Sequence, residues 1–406
     1  MHLKLAYRNI TAYKKRSIVT LLLTTVTTAL LVFATAWNEG SHSTILSNAV
    51  EIYPGYIQIT GKDFRENPSF DNLIFDAQAV HDKLAEQQGI AAFGARFESF
   101  VLYSVGEKAV GGMLTAIEPE KEAHLSRLAD SLIKGEYLQA GDGNQIYIGN
   151  ELARRLKVDV GDIVTFIGSG ADYSFAADNL KIKGIFQTGL FEFDAAAAFL
   201  DKGYFDQIMA SENYATHFIV LPEETDQAEQ LAASIGAGLG PDYESASWNQ
   251  IMASLVKAME LDSVFGYITL GIIFTVIFFV IMIYTFLAVF ARIRELGILR
   301  AIGTKPSEIF IMLILESCLL ALVSVLLGGL IGATAAWYFE ANPIVFASFE
   351  EQFKQYGMAV SAIPTAFIPL VILRDMAIMF ILSVLSTLYP ILKANRMQPV
   401  EAMHHV

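Results

Sequence analysis

Residues Val264–Phe290 are twenty-seven consecutive positions without one Asp, Glu, Lys or Arg. A helix needs about 20 apolar residues to cross about 30 Å of hydrocarbon, so this stretch is long enough to span a bilayer. Three more qualify: Ile18–Trp37, Ile309–Tyr338 with only Glu316 interrupting it, and Ala366–Leu392 with Arg374 and Asp375 near its start. Composition agrees, because only 17% of the chain is charged against about 25% in an ordinary soluble protein. Ala34-Thr35-Ala36 has the small residues of a signal-cleavage site. The apolar run there is longer than the about 7–15 residues of a signal, so it is expected to remain as a span.

Basic residues set the orientation. Lys4, Arg8, Lys14, Lys15 and Arg16 precede the first span, Arg292, Arg294, Arg300 and Lys305 separate the second from the third, and Lys393 and Arg396 follow the fourth. By the positive-inside rule all three places are cytoplasmic. The expected layout is a basic cytoplasmic segment 1–17, span 18–37, external domain 38–263, span 264–290, cytoplasmic loop 291–308, span 309–338, external loop 339–365, span 366–392 and cytoplasmic tail 393–406. Leu3, Ala6, Tyr7, Ile10 and Tyr13 fall on one side of a 3.6-residue helix, opposite Lys4, Arg8 and Lys15. This segment is expected to lie on the lipid surface.

The segment 38–263 is too long for a loop. It holds 15 Lys/Arg against 34 Asp/Glu, whereas the rest of the chain holds 13 against 8. An acidic chain of net charge −14 lacks the basic footprint that nucleic acid requires. The single cysteine, Cys318, can form no intrachain disulfide, so the external domain depends on its core. Alternation at Tyr56–Thr60 predicts a strand, as do Phe97–Val105, Asp162–Ile167, Lys181–Phe186 and Ala215–Leu221. Helices are predicted at Asp76–Gln88, Gly149–Leu156 and Glu224–Ile235, the last stopping at Gly236. A helix around Trp248–Glu260 is expected to run unbroken into the second span, since Asn249–Phe265 contains no Gly or Pro. Gly111-Gly112, Gly141-Asp142-Gly143 and Gly168-Ser169-Gly170 read as turns. The domain is divided into a base (38–105 and 215–263) and an inserted lobe (106–214). The fold class is an α-helical membrane protein with four transmembrane helices and a large α+β extracytoplasmic domain between helices 1 and 2.

Catalytic signatures are missing. The sequence has no G-x-x-x-x-G-K-[ST] phosphate loop, no H-E-x-x-H and no C-x-x-C. Its seven histidines are scattered, with only His404 and His405 adjacent. No metal site, cofactor or catalytic residue is expected, and energy for any driven process must come from a partner.

The loop from Arg292 to Gly303 reads Arg-Ile-Arg-Glu-Leu-Gly-Ile-Leu-Arg-Ala-Ile-Gly. Ile293, Leu296 and Leu299/Arg300 have helical spacing, Gly303 suits a helix stop, and Pro306 and Glu308 suit the first turn of the next helix. This string resembles the R-E-x-G-x-L-R-A-x-G loop of the FtsX-like permeases, the group that includes MacB and the LolC/LolE subunits. The opening Leu5-Ala-Tyr-Arg-Asn-Ile10 and the ending Tyr389-Pro390…Pro399-Val-Glu-Ala402 are similar to that family's ends. The resemblance implies a MacB-type periplasmic domain in the bacterial inner membrane and a second permease, identical or homologous. It also implies a separate cytoplasmic ATPase dimer that binds the ATP and magnesium. Docking on that ATPase would fall to Arg294, Glu295, Leu296, Gly297, Leu299, Arg300, Ala301 and Gly303, and ATP-driven movement of the spans would alter the posture of the external domains.

The 226-residue insert suits MacB and LolC/LolE better than FtsX itself, and residues 1–17 leave no room for a fused ATPase. Gly184-Ile-Phe-Gln-Thr-Gly-Leu-Phe-Glu-Phe-Asp194 looks like the G-x-F-x-T-G-x-x-E-Y-D stretch of LolC/LolE-like permeases, with Phe193 in place of Tyr. The implied activity is extraction of lipoproteins for a periplasmic carrier. Export of small amphiphiles or peptides, and non-transporting regulation or sensing of cell-wall events, stand as alternatives. Within the membrane, Glu316 is expected to face protein or water because burying it in lipid is costly, either bonding a neighbouring helix or meeting substrate. Gly328 and Gly332 form a G-x-x-x-G that permits close helix approach, here read as a candidate for the permease dimer contact.

Overall fold

In the computed structural model, residues 8, 10–12, 14–345 and 362–396 are described. The expected surface helix therefore lies mostly outside the described residues. So do the end of the tail motif, the adjacent His404 and His405, and much of the external loop 339–365.

The first helix, α1 (Lys14–Ile52), continues well beyond Trp37, since no proline interrupts the residues that follow. The chain then forms an α+β unit within residues 45–258. In order come β1 (Ile57–Gly61), α2 (Ala77–Glu86), β2 (Ile90–Val105), β3 (Lys108–Ile117), α3 (Pro119–Leu125), β4 (Leu132–Gly135), β5 (Gln145–Gly149) and α4 (Asn150–Leu156). These are followed by β6 (Ile163–Ser169), β7 (Phe175–Phe186), α5 (Phe191–Ala196), β8 (Ala197–Asp201), α6 (Lys202–Met209), β9 (His217–Pro222), α7 (Ala228–Leu239), β10 (Tyr243–Ser247) and α8 (Trp248–Ile251).

Strands β10-β1-β9-β2 form an antiparallel sheet. With α2 and α7 in its connections this is a split βαβ arrangement. Its core is Ile57, Ile59, Val80, Leu84, Phe218, Val220 and Ile235. The second half of β2 leaves this sheet and pairs with β3 on one side and β6 on the other. Pairings β3–β8, β8–β5, β5–β7 and β7–β6 complete the circuit. Six strands thus close into a barrel, which leaves no open edge among them. Phe97, Val101, Tyr103, Leu114, Ile146, Phe166, Leu180 and Leu200 fill it. The two cores meet inside one strand, at Arg96–Phe97, whereas the division drawn from sequence assigns all of β2 to the base.

Four local expectations fail, one of them because Gly168 and Ser169 belong to β6 and pair with Ala176 and Phe175. Gly111-Gly112 is inside β3 rather than in a turn; a Cβ on Gly112 would come within 2.4 Å of Ala196 O, and one on Gly111 within 2.8 Å of the Phe100 ring. Helix α7 passes through Gly236 and ends before Gly240, which has φ +102. The last helix of the domain is not continuous, because Met252 (φ −105, ψ 35) breaks it between α8 and the next element.

The second unit comprises residues 1–44, 259–345 and 362–406. Besides the first part of α1 it contains α9, whose full range is Ala253–Phe290, then α10 (Ile293–Ala301), α11 (Pro306–Ala341), a two-residue pairing of β11 (Ile344–Val345) with β12 (Ala362–Ile363), and α12 (Pro369–Arg396). Among the described residues four helices, α1, α9, α11 and α12, are long and apolar enough to cross a membrane. Of these α11 is the most buried and α9 the least. Gly328 and Gly332 bring α11 against α1 of the same chain: Cβ atoms there would lie 2.5 Å from Thr25 O and 2.8 Å from Ala29 O. The G-x-x-x-G motif therefore serves a close intrachain contact between α11 and α1.

Candidate functional site

The connection between α9 and α11 is built like a lever with two defined ends. Arg292, at φ −113, breaks the helix after Phe290, and α10 starts at the next residue. At its far end Gly303 has φ +106. Its N–H donates to Arg300 O at 3.0 Å, and Thr304 N–H donates to Leu299 O at 3.1 Å. This is the Schellman pair that only a left-handed residue closes cheaply. Pro306 then opens α11, and Lys305 N–H donates to the Glu308 carboxylate at 3.1 Å, satisfying one orphan donor of the new helix.

The nine residues of α10 have two faces. Ile293, Leu296 and Gly297 are buried, and the first two pack with Val289 of α9, Ile309, Met312 and Leu313 of α11, and Ile391 and Ala394 of α12. Arg294, Glu295, Leu299, Ala301 and Gly303 are exposed, and Arg300 is half-buried. The eight residues implied for docking therefore do not form one surface: Leu296 and Gly297 hold the lever from behind. Sequence reasoning omitted Ile298 and Ile302, which are 45% and 78% exposed. Their i, i+4 spacing next to Leu299 was the available signal, since it places apolar side chains on a helix face opposite the buried one.

Both ends of α10 are tied to neighbouring spans. The half-buried Arg300 donates from Nη1 to Asn395 O of α12 at 3.3 Å. Arg292, also omitted from the sequence-derived site, is buried and donates from Nη1 to both carboxylate oxygens of Glu316 at 3.3 and 3.2 Å. Its Nε lies 3.4 Å from Glu295 Oε2. Glu316 is thus placed against protein, 3% exposed. A cavity of about 40 Å³ beside it is lined by the hydroxyl residues Thr20, Thr24, Thr285, Ser317, Ser383 and Thr387 together with apolar ones such as Ile281, Val289, Leu313 and Ile391, and is roomy enough for a water.

Elsewhere in this unit, Asp375 is buried and accepts hydrogen bonds from Thr35 Oγ1 at 2.5 Å and Arg374 Nε at 3.1 Å. A cleft of about 510 Å³ separates α1 from α9. Phe265, Leu270 and Ile273 contribute apolar lining, while Asn38, Glu39, His42, Asp262 and Arg374 contribute polar groups. His42 Nε2 lies 2.8 Å from Asp262 Oδ2.

In the α+β unit Asp194, the last residue of the Gly184–Asp194 motif, has an architectural task. Asp194 accepts from Thr188 N–H at 3.0 Å, Thr188 Oγ1 at 2.6 Å and Gly189 N–H at 3.2 Å, so it pins the turn at Gly189, where φ is +85. Burial pushes its carboxyl above the usual range, and those hydrogen bonds oppose the shift. Arg96 is wholly buried and grips Glu122 through Nε and Nη2 at 3.0 and 2.6 Å. Its Nη1 donates to Tyr53 O at 2.6 Å, and its guanidinium lies 4.0 Å from the Tyr53 ring centre. Among the described residues no three His, Cys, Asp or Glu side chains converge on a metal position.

Residues 17–237 match the MacB-like periplasmic core domain, and residues 267–399 match the FtsX-like permease C-terminal family. The lipoprotein-releasing system transmembrane protein LolC of Xylella fastidiosa (strain Temecula1) is 26% identical over 314 residues, covering 74% of this chain and 74% of that protein. LolC of Neisseria meningitidis serogroup B is 22% identical over 394 residues, 93% of this chain and 91% of that one. Among solved structures, the periplasmic region of MacB from Actinobacillus actinomycetemcomitans is similar at 12% identity and a TM-score of 0.38, over 52% of this chain and 97% of that one.

Proposed function

We propose, since this chain belongs to the FtsX-like permeases with a MacB-like periplasmic core domain, that it couples ATP hydrolysis by a separate cytoplasmic ATPase dimer to movement of that domain, drawing lipoproteins from the inner membrane. The observation that carries the coupling half is the two-faced helix α10. Its buried face is packed on three spans, and its outer face offers Ile298, Leu299 and Ile302 beside Arg294 and Glu295. An apolar centre with a charged rim is the usual anatomy of a protein contact. A nucleotide-driven shift of the partner would then reach α9, α11 and α12 at once.

In this reading residues 38–263 are periplasmic, and 291–308 and both ends are cytoplasmic, following the basic flanks. A second permease, identical or homologous, completes the membrane part, and a periplasmic carrier takes the cargo. ATP and magnesium belong to the ATPase; the chain itself is a non-catalytic subunit. Lipoprotein cargo is supported by the LolC relatives, whose names describe lipoprotein release, and by the α1–α9 cleft, whose mixed lining suits an amphiphile. Burying acyl chains in lipid is worth about 0.8 kcal/mol per CH₂, which explains the need for ATP.

The test is reconstitution with the ATPase and second permease in phosphatidylethanolamine–phosphatidylglycerol vesicles carrying a triacylated lipoprotein. ATP-dependent release to a carrier is expected. ATP hydrolysis without release under any carrier refutes the cargo, stimulation by a small amphiphile redirects it to export, and binding of a wall enzyme in place of transport redirects it to regulation. For the coupling half, Gly297→Pro removes a backbone donor within α10 and disrupts the helix. It should abolish ATP-dependent release while insertion persists; unchanged release refutes the assignment of α10.

A further inference from the structure

A docked helix transmits force only if it cannot roll or slide against the spans behind it. Apolar packing resists separation but is non-directional, whereas an arginine–carboxylate pair adds a directional, charge-assisted contact. Helix α10 has such a tie at its N-terminal end, where Arg292 reaches both oxygens of Glu316. Glu316 stands seven residues beyond Ile309, itself in the apolar cluster beneath α10. The tie thus lies about two turns up α11 from that contact. At the other end Arg300 reaches Asn395 O of α12. Two fasteners on two different spans define an axis, and α10 between them behaves as a rigid arm.

We propose that Arg292 and Glu316 are positioning residues for coupling: their pair locks α10 to α11, so that displacement of the docked arm becomes displacement of the span. Neither belongs to the outward face that meets the ATPase. This rests on the coupling reading above and adds the element that conveys the motion. A small cavity lined by both hydroxyl and apolar side chains lies beside Glu316, and Glu295, 3.4 Å from Arg292 Nε, supplies a second carboxylate on the arm itself.

The experiment uses the full complex in phosphatidylethanolamine–phosphatidylglycerol vesicles. It measures ATPase co-purification, ATP hydrolysis and release of a triacylated lipoprotein probe. Glu316→Gln and Arg292→Gln should retain the ATPase and its hydrolysis but release about 5- to 150-fold less probe per ATP, the range of ordinary coupling free energies. The double variant R292E/E316R should recover most of the release. A second double variant, R292L/E316M, replaces the pair by apolar bulk, which buried ion pairs commonly tolerate without loss of stability. If the pair positions, this variant inserts normally and stays uncoupled; if it merely holds the fold, release is normal and the proposal is overturned. Normal release by Glu316→Gln overturns it as well. Should the single variants fail to accumulate, the two double variants decide alone. Gly297→Pro separates the two levels. Loss of release there with full release by R292L/E316M removes only the positioning role, whereas full release by Gly297→Pro removes the coupling reading itself.

Discussion

Two buried arginine–carboxylate pairs, one in each unit, are made differently. In the α+β unit Arg96 holds Glu122 at 3.0 and 2.6 Å and spends a further donor on Tyr53 O at 2.6 Å, with the Tyr53 hydroxyl donating in turn to Glu98. Charge-assisted N–H···O bonds are strongest at about 2.7–2.9 Å, so this pair is drawn tight. In the membrane unit Arg292 meets Glu316 at 3.2–3.3 Å and has an exposed carboxylate within 3.4 Å, and Glu316 borders a small cavity of mixed lining. The first pair has one arrangement available. The second is a longer tie that holds α10 to α11, the joint through which the arm acts, while the first resembles a staple at the seam where β2 passes from sheet to barrel.

The largest expected effect follows from the tight pair. Glu122→Ala leaves the Arg96 guanidinium uncompensated in a site with no solvent access, and breaking such a pair destabilises by about 3–5 kcal/mol. Thermal unfolding of the full chain in detergent should show the α+β unit melting far earlier than in the parent protein. Glu316→Gln should cost much less, because that pair is longer and Glu316 borders a cavity with room for a water. Equal losses from the two substitutions would erase the distinction between staple and joint.

The membrane unit is not slack throughout, and glycines mark where it is tight. A Cβ at Gly328 would stand 2.5 Å from Thr25 O of α1, whereas one at Gly271 of α9 meets nothing within 4 Å. Gly328→Ala should destabilise by about 1–3 kcal/mol, as overpacking does, and Gly271→Ala should be neutral or slightly stabilising. Unfolding in detergent checks both. If Gly328→Ala is silent, α1 and α11 slide freely and the arm described above has no fixed frame to push against.

Legibility in the sequence followed the length scale of the physics. Hydropathy integrates over twenty residues, so four apolar helices were readable from composition. Gly303 and Pro306 were readable because a left-handed stop and an N1 proline are local requirements. The barrel was not. Gly111-Gly112 looks like a turn until Phe100 and the Ala196 carbonyl come down on it from other strands, and Ala197–Asp201 is buried throughout and shows no alternation. The break at Met252 leaves no Gly or Pro to announce it. Within the site, the exposed Ile298 and Ile302 had a periodic signal, but Arg292 and Glu316 are twenty-four positions apart. Nothing in the residues between them says that they meet.

The smallest expected effect again separates the two units, this time through pH. His217 on β9 is buried, with Nδ1 3.0 Å from Thr216 Oγ1. Burial lowers its pKa below the ordinary 6.5; Arg96 works in the same direction, and Glu98 and Glu122 oppose it. Between the lowered value and 6.5 the unfolded chain therefore binds a proton that the folded chain does not. Stability rises with pH through that window and is lost on acidification below 6.5. His217→Gln, which cannot take up the proton, should flatten this slope, so that parent and variant differ more in their acid sensitivity than in their stability at pH 7.5. Glu316→Gln lies in the other unit and should leave the His217 contribution to the slope unchanged. Unfolding curves of the full chain at pH 5.5 and 7.5 supply the comparison. An identical slope in parent and His217→Gln would mean that the seam beside Arg96 admits water, and that the staple is looser than its distances imply.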